Sequence, residues 1–273
     1  MSDSMDQTLF RSFCDLAYRQ AGIVLKGGKE AMLLARIARR QRALGLGTPQ
    51  EYFEYLESES SGSELVSFLD VVTTNFTHFF RESDHFDFLA ERVRQALKAG
   101  KNRLRYWSAA SSTGEEPYTM AITILEAAGA QEVDARILAT DLSTQVLEKA
   151  QEGIYDAAAL EPVPSAARQK YFERVEGSRG EFYQAGERLR SMVTYRRLNL
   201  STPPFPMKGP LDAVFCRNVM IYFGHEVRQR LIGAVETLLG EGSFLAISHT
   251  ETLVGIRTGL RTLQPSIYWK AAP

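Results

Sequence analysis

Arg103-Leu-Arg-Tyr-Trp-Ser-Ala-Ala-Ser-Ser-Thr-Gly-Glu-Glu-Pro117 runs a short apolar segment into a loop of small residues and then into a helix spanning 115–128. The same alternation repeats downstream. Strands are expected at 103–109, 135–140, 193–198, 211–216, 243–248 and 266–270, with helices at 115–128, 143–152 and 225–240. Short apolar strands alternating with amphipathic helices indicate a parallel sheet covered on both faces, a doubly wound Rossmann-like α/β domain. One crossover is too long for a helix and a turn: residues 153–192 separate the second strand and its helix from the third. Within them, Tyr171-Phe-Glu-Arg-Val, Gly177-Ser-Arg-Gly180 and Glu181-Phe-Tyr-Gln read as a β-hairpin insertion, either a decorative flap or an edge offered to a peptide.

Upstream the pattern is helical, and we expect a small all-helical domain over 1–80 and the α/β domain over 81–273. Thr48-Pro-Gln-Glu51 supplies a hydroxyl N-cap, proline at N1 and a carboxylate at N3 for a helix through Tyr55. Before it, a helix over 29–44 places Leu33, Leu34, Ile37, Ala38 and Leu44 on one side and Arg36, Arg39, Arg40 and Arg42 on the other. Five glutamates follow at 51–64 with no base among them. The arginine face is either simply solvated or a docking surface for an acidic partner.

The 273 residues are 44% apolar and 24% charged, with 32 Lys plus Arg against 33 Asp plus Glu, a net charge of −1. That composition excludes a disordered or collagenous chain and disfavours broad electrostatic capture of nucleic acid or anionic lipid. Two distant cysteines, Cys14 and Cys216, make neither a disulfide framework nor a metal site, and His78, His85, His225 and His249 show no ligand spacing. No metal is expected. The N-terminus is acidic and polar, unlike a secretory signal, and no segment approaches the ~18 apolar residues of a membrane span. A cytoplasmic protein without membrane insertion is expected, and nothing demands more than a monomer.

In a doubly wound sheet, ligands lie across the carboxyl ends of the strands. The small-residue loop Ser108–Gly114 suits close approach to backbone, but G-x-G-x-x-G is absent and Glu115 and Glu116 occupy the place where a pyrophosphate needs positive potential. Asp141, ending the second strand, can accept both ribose hydroxyls; the competing role, capping the next helix, already belongs to Ser143. An adenosine ligand bearing positive charge and no phosphate fits, which is S-adenosylmethionine. At the fourth strand, Arg217, Asn218 and Tyr222 emerge at the same edge. At the domain junction, polar Asn75, Thr77 and Arg81 alternate with Phe76, Phe79 and Phe80, so an aromatic wedge presents polar tips where clefts usually lie.

Taken together, Thr73-Thr-Asn-Phe-Thr-His-Phe-Phe-Arg-Glu82, Trp107-Ser-Ala-Ala-Ser-Ser-Thr-Gly-Glu-Glu-Pro-Tyr118, Ala139-Thr-Asp-Leu-Ser143, Gly153-Ile-Tyr155 and Phe215-Cys-Arg-Asn-Val-Met-Ile-Tyr-Phe223 resemble the CheR family of chemotaxis receptor glutamate methyltransferases. The resemblance covers essentially the whole chain, in order. It implies a class I methyltransferase fold and methylation of glutamate side chains on the cytoplasmic helices of chemoreceptors, with S-adenosylhomocysteine as product. By motif position, Asn75, Thr77, Arg81, Glu115, Asp141, Asn199, Leu200, Arg217 and Asn218 would contact the cofactor, and Arg81 and Tyr222 would stand close to the transferring methyl. The basic helix would dock an acidic receptor helix through Arg36, Arg39, Arg40 and Arg42. The β insertion is similar to a family element that, in some members, pairs with a receptor's C-terminal peptide.

Two other readings fit the composition less well. A nucleic-acid methyltransferase acting on amino groups needs an Asn/Asp-Pro-Pro-aromatic motif where this chain reads Arg217-Asn-Val-Met-Ile. A non-catalytic adaptor that senses S-adenosylmethionine would have no need of Arg81, Asp141 and Tyr222 together.

Overall fold

The computed structural model describes residues 7–25, 28, 30–60, 62–73, 76–176 and 180–271. Four helices open the chain: α1 (Gln7–Ala21), α2 (Glu30–Leu44), α3 (Pro49–Ser58) and α4 (Ser63–Val72). Phe10, Phe13 and Leu16 of α1, Leu33 and Ile37 of α2, Tyr52 and Leu56 of α3, and Phe68 and Leu69 of α4 are buried in one core. Phe13 is its centre, in ring contact with Tyr52, Phe53 and Phe68. The helix start at Thr48 is formed as the sequence indicates, its Oγ1 accepting the Glu51 amide at 3.2 Å. Helix does not continue to residue 80, however. The chain leaves α4 at Thr73 in extended conformation, and Phe80 has φ +55°, which no helix accommodates.

Thereafter come α5 (Asp84–Lys98), β1 (Arg103–Ser108), α6 (Glu115–Ala128), β2 (Asp134–Asp141), α7 (Thr144–Glu152), β3 (Ile154–Asp156), α8 (Ser165–Tyr171), β4 (Phe172–Glu176), β5 (Glu181–Ala185), α9 (Glu187–Arg190), β6 (Val193–Arg197), β7 (Leu211–Phe215), a 3₁₀ turn (Met220–Tyr222), α10 (His225–Leu238), β8 (Leu239–Ala246), β9 (Arg261–Gln264) and β10 (Ile267–Trp269). The main sheet has seven strands in the order β6-β2-β1-β7-β8-β10-β9. Its strands from β6 to β8 are parallel, and β10 runs antiparallel to both neighbours. Along β8, Phe244 and Ala246 face a core shared with α5 and α6, while Leu245 joins a core shared with α10. Burial on both faces accounts for the unbroken apolar runs of the central strands.

Three departures from the sequence reading have local causes. The edge strand β9 goes unseen because all but one of its residues are exposed and it carries no apolar alternation. The chain turns directly from α10 into β8 at Leu239, so the helix ends two residues earlier and the strand begins four residues earlier than expected; buried Leu239, opposite Leu211, anchors that join. The insertion holds three antiparallel strands, β3-β5-β4, because Ile154–Asp156 pairs with β5 beside the hairpin. Of its turn, residues 177–179 lie outside the described residues.

Candidate active site

The chain winds outward from β1 through β2 to β6, then returns to β7 on the other side of β1. That reversal opens a crevice beyond the carboxyl ends of β1 and β7. A cavity lies there with about 980 Å³ of empty space, counting its open mouth. Its floor is the loop after β1, with Ala109, Ala110 and Ser112, and its roof comes from the helical domain through Ala21, Ile23, Val72 and Thr73.

The roof is tied down through backbone. The Val24 amide donates to the Tyr222 carbonyl at 2.7 Å, and Ile23 bridges to Phe223. Gly22 makes this approach possible: its φ is +68°, and a Cβ there would stand 2.8 Å from Ser201 Cβ. On the opposite side, the Tyr155 hydroxyl of the insertion donates to the Thr113 carbonyl at 2.8 Å. Gly114, with φ +99°, leaves room for that phenol, which a Cβ would meet at 2.8 Å.

Of the residues singled out from sequence, Thr77, Arg81, Asp141, Asn199, Leu200, Arg217, Asn218 and Tyr222 all line this cavity. Asn75 lies outside the described residues. Glu115 does not line it: its carboxylate is buried and accepts the Thr113 hydroxyl at 2.7 Å, while Glu116, one position along α6, reaches the wall. Burial raises the Glu115 carboxyl above its ordinary value, and the Thr113 hydrogen bond offsets part of that rise.

Asp141 is held by two amides, Ser112 N–H to Oδ2 at 2.9 Å and Ser143 N–H to Oδ1 at 3.0 Å. Each oxygen keeps a lone pair for a further donor. Burial raises its carboxyl, with the backbone amides of Ser143, Ser112 and Leu142 opposing that shift. The capping duty falls to Ser143, whose Oγ accepts the Val146 amide. Arg81 Nη1 donates to the Phe76 carbonyl at 2.9 Å, which fixes the guanidinium and leaves other N–H groups for a ligand. The Tyr222 hydroxyl has no hydrogen-bond partner among the described residues. Asn199 spends its side chain on structure, its amide donating to the Gln20 carbonyl and its oxygen accepting from Ser201.

Arg217 is buried and spans two carboxylates, Glu116 at 3.0 Å and Glu82 at 3.1 Å, and also donates to the Arg81 carbonyl. Ser108 donates to Glu116 at 2.6 Å, and Ser248 to Glu82 at 2.8 Å. Set against Arg81 and Arg217, the three carboxylates Glu82, Glu116 and Asp141 leave a formal excess of one negative charge around the cavity. A cationic ligand is matched there, and a phosphate is not.

The comparisons agree with this geometry. A family model described as CheR methyltransferase, SAM binding domain, matches residues 75–268, and a second, CheR methyltransferase, all-alpha domain, matches residues 8–73. The chain belongs to the CheR methyltransferase family. Chemotaxis protein methyltransferase 2 of Pseudomonas aeruginosa is 39% identical over 95% of this chain and 91% of its own. Chemotaxis protein methyltransferase of Salmonella typhimurium is 39% identical over 89% of this chain and 83% of its own. The doubly wound domain with its helical N-terminal partner is thus the CheR arrangement of a class I methyltransferase.

Two groups in this CheR site escaped the sequence reading. Glu251 accepts the amides of Asn218, Ser248 and Ile221 at 3.1, 2.8 and 3.3 Å, shaping the turn that carries Tyr222. Burial raises its carboxyl despite those amides. Glu82 is the second carboxylate of Arg217; burial would raise its carboxyl, but Arg217 and Ser248 outweigh this and hold it below its ordinary value. Glu82 closes the quoted Thr73–Glu82 stretch, but neither its pairing with Arg217 nor the role of Glu251 is announced locally, because their partners lie far away in the chain.

The cavity suits S-adenosylmethionine on three counts. Asp141 has lone pairs for ribose hydroxyls, Glu116 and Asp141 set carboxylates in the wall for a ligand with ammonium and sulfonium groups, and the small residues after β1 leave backbone accessible. Among the described residues, no helix is long and apolar enough to cross a membrane.

Proposed function

We propose that this protein methylates glutamate side chains on the cytoplasmic domain of methyl-accepting chemoreceptors, as a cytoplasmic enzyme recruited to receptor arrays. The supporting observation is the meeting of Asp141, Arg81, Arg217, Asn218 and Tyr222 in one cavity roofed by the helical domain. S-adenosylmethionine supplies a sulfonium-bound methyl, which a carboxylate oxygen takes to give the methyl ester and S-adenosylhomocysteine. Glutamate, with a reference pKa of about 4.3, is already an anion at neutral pH, so the protein needs no base. Its task is alignment and exclusion of water.

In this reading Asp141 holds the ribose, and Thr77 and Asn218 line the cofactor's path. Arg81, its guanidinium pinned by the Phe76 carbonyl, orients carboxylates by charge-assisted hydrogen bonds. The unpartnered Tyr222 hydroxyl donates to a reacting group and moves no proton. Arg39 and Arg42 of α2 are exposed and without partners among the described residues, so they receive the acidic receptor helix; Arg36 and Arg40 stand behind them, bonded within the domain. The open edge of β4 is the place for a receptor's C-terminal peptide.

The test is incubation of methyl-labelled S-adenosylmethionine with a receptor cytoplasmic fragment and release of the label by base. Label in glutamyl esters is expected. Cofactor binding with no base-labile product would leave an adaptor in place of an enzyme. Tyr222→Phe should lower turnover at least tenfold with S-adenosylhomocysteine affinity within twofold of wild type; unchanged turnover removes the orienting role.

A further inference from the structure

Beside the cavity, Glu82, His85 and His249 bring a carboxylate oxygen and two imidazole nitrogens within 4.8 Å of one another. The two histidines are distant in the chain, so residue spacing could not reveal the cluster. Ring chemistry makes it a candidate for a cation. His85 is fully buried, and its Nε2 lies 2.6 Å from Ser266 Oγ. Ser266 has one hydroxyl proton and donates it to the Pro265 carbonyl at 2.6 Å, so its oxygen accepts from His85 and Nε2 carries the hydrogen. Nδ1 is then bare.

That buried Nδ1 has no hydrogen-bond partner among the described residues and faces Glu82 Oε2 at 3.6 Å. Two lone pairs facing each other repel unless a positive centre lies between them. Ligands of a tetrahedral zinc-like ion sit about 2.0–2.1 Å from the metal, and hence roughly 3.4 Å from one another. The gap between Nδ1 and Oε2 has that spacing. His249 Nε2 lies 3.0 Å from Asp84 Oδ2, supplying the carboxylate that metal-bound imidazoles commonly hold on their other nitrogen. Ser266 gives His85 the same outward support. His249 is half exposed, which leaves a route for the ion and a position for water. Glu82 Oε2 keeps its bond from Arg217 Nη2 at 3.1 Å and has a further lone pair to offer, and Asp84 adds a second carboxylate beside the cation.

We propose that Glu82, His85 and His249 form a binding site for a divalent transition-metal cation of the zinc type, with one coordination position open to solvent. Two imidazoles and one carboxylate favour zinc or cobalt over calcium or magnesium. The site borders the cavity through Glu82, which it shares with Arg217, and its test uses neither cofactor nor receptor. Full-length, tag-free protein in a non-coordinating buffer is titrated with zinc chloride by calorimetry. Cobalt chloride is added separately to read the visible bands of a four-coordinate ion. One equivalent bound is expected, with the cobalt bands present. His249→Ala changes a half-exposed side chain and should weaken zinc at least tenfold and abolish the bands, with the circular dichroism spectrum unchanged. Asp84→Asn, which alters only the outer acceptor, should weaken zinc about tenfold. No binding at millimolar zinc, or wild-type affinity in His249→Ala, overturns the proposal.

Discussion

Two arginine–carboxylate networks, one in each domain, use the same chemistry to opposite ends. In the helical domain, Arg40 donates to both oxygens of Glu64, at 2.9 and 2.5 Å, and the buried Tyr52 hydroxyl donates to the same carboxylate at 2.7 Å. One acid meets one base, and the network is closed. Below the cavity, Arg217 meets two acids, Glu82 and Glu116, and is itself part of the cavity wall. Backbone strain divides the same way. The described non-glycine residues with positive φ are Phe80, Glu82, Ser112 and Asn218, at or next to the second network or the cavity, and Ser266 in the turn between β9 and β10; none is in the helical domain. Such conformations cost on the order of 1–3 kcal/mol each, persist only where the surrounding structure holds them, and cluster at ligand sites. Charge balance and relaxed backbone mark the scaffold; imbalance and strain mark the site.

The largest test of this contrast is Arg217→Met. It leaves Glu82 and Glu116 buried without their shared partner, an arrangement that typically costs about 3–5 kcal/mol. Urea unfolding should show a large drop in midpoint, and S-adenosylhomocysteine binding should be lost in calorimetry. A stable variant that still binds would mean that the network is incidental to the cavity.

Next in size is Asp141→Asn. A hydrogen bond to a charged group contributes about 1.5–3 kcal/mol, so S-adenosylhomocysteine affinity should fall roughly 10- to 150-fold. Because burial holds the Asp141 carboxyl above its ordinary value, wild-type affinity should weaken as pH falls through a value higher than that of a free aspartate. The Asn variant should lack this dependence. Equal pH profiles in the two proteins would place the titrating group elsewhere.

Arg40→Met should have a smaller effect, about 1–3 kcal/mol, because Glu64 keeps its bond to Tyr52. Its effect is confined to stability, so S-adenosylhomocysteine affinity should stay within twofold. A loss of cofactor affinity comparable to that of Arg217→Met would erase the distinction between the two networks.

How far the sequence could be read follows from how local each signal is. The central strands and Asp141 are legible because an apolar run and its terminal acid are adjacent in the chain. Glu116 and Glu82 are illegible as a pair, since only the fold brings Arg217 between them. Along one helix turn the two neighbouring acids part, Glu115 accepting from Thr113 while Glu116 reaches the wall. In α2, the wheel sets four arginines on one side but cannot show which edge a neighbouring helix covers. Arg36 and Arg40, four apart, fall under α4: Arg36 donates to the Val71 and Thr73 carbonyls, both at 2.8 Å, and Arg40 to Glu64. Arg39 and Arg42, three apart, point away from it.

That division yields the smallest and most selective prediction. If Arg39 and Arg42 steer an acidic receptor helix, their charge acts through the encounter and not through buried contacts, so the effect is on association and is screened by salt. Arg39→Glu with Arg42→Glu should slow receptor methylation several-fold at low ionic strength, and the gap to wild type should shrink towards 0.5 M salt. Stability and S-adenosylhomocysteine affinity should not move, because neither side chain has a partner among the described residues to lose. A salt-independent deficit would point to a local packing fault. Methylation equal to wild type at every salt concentration would show that the receptor docks elsewhere, and the exposed pair would then be no more than a solvated helix edge.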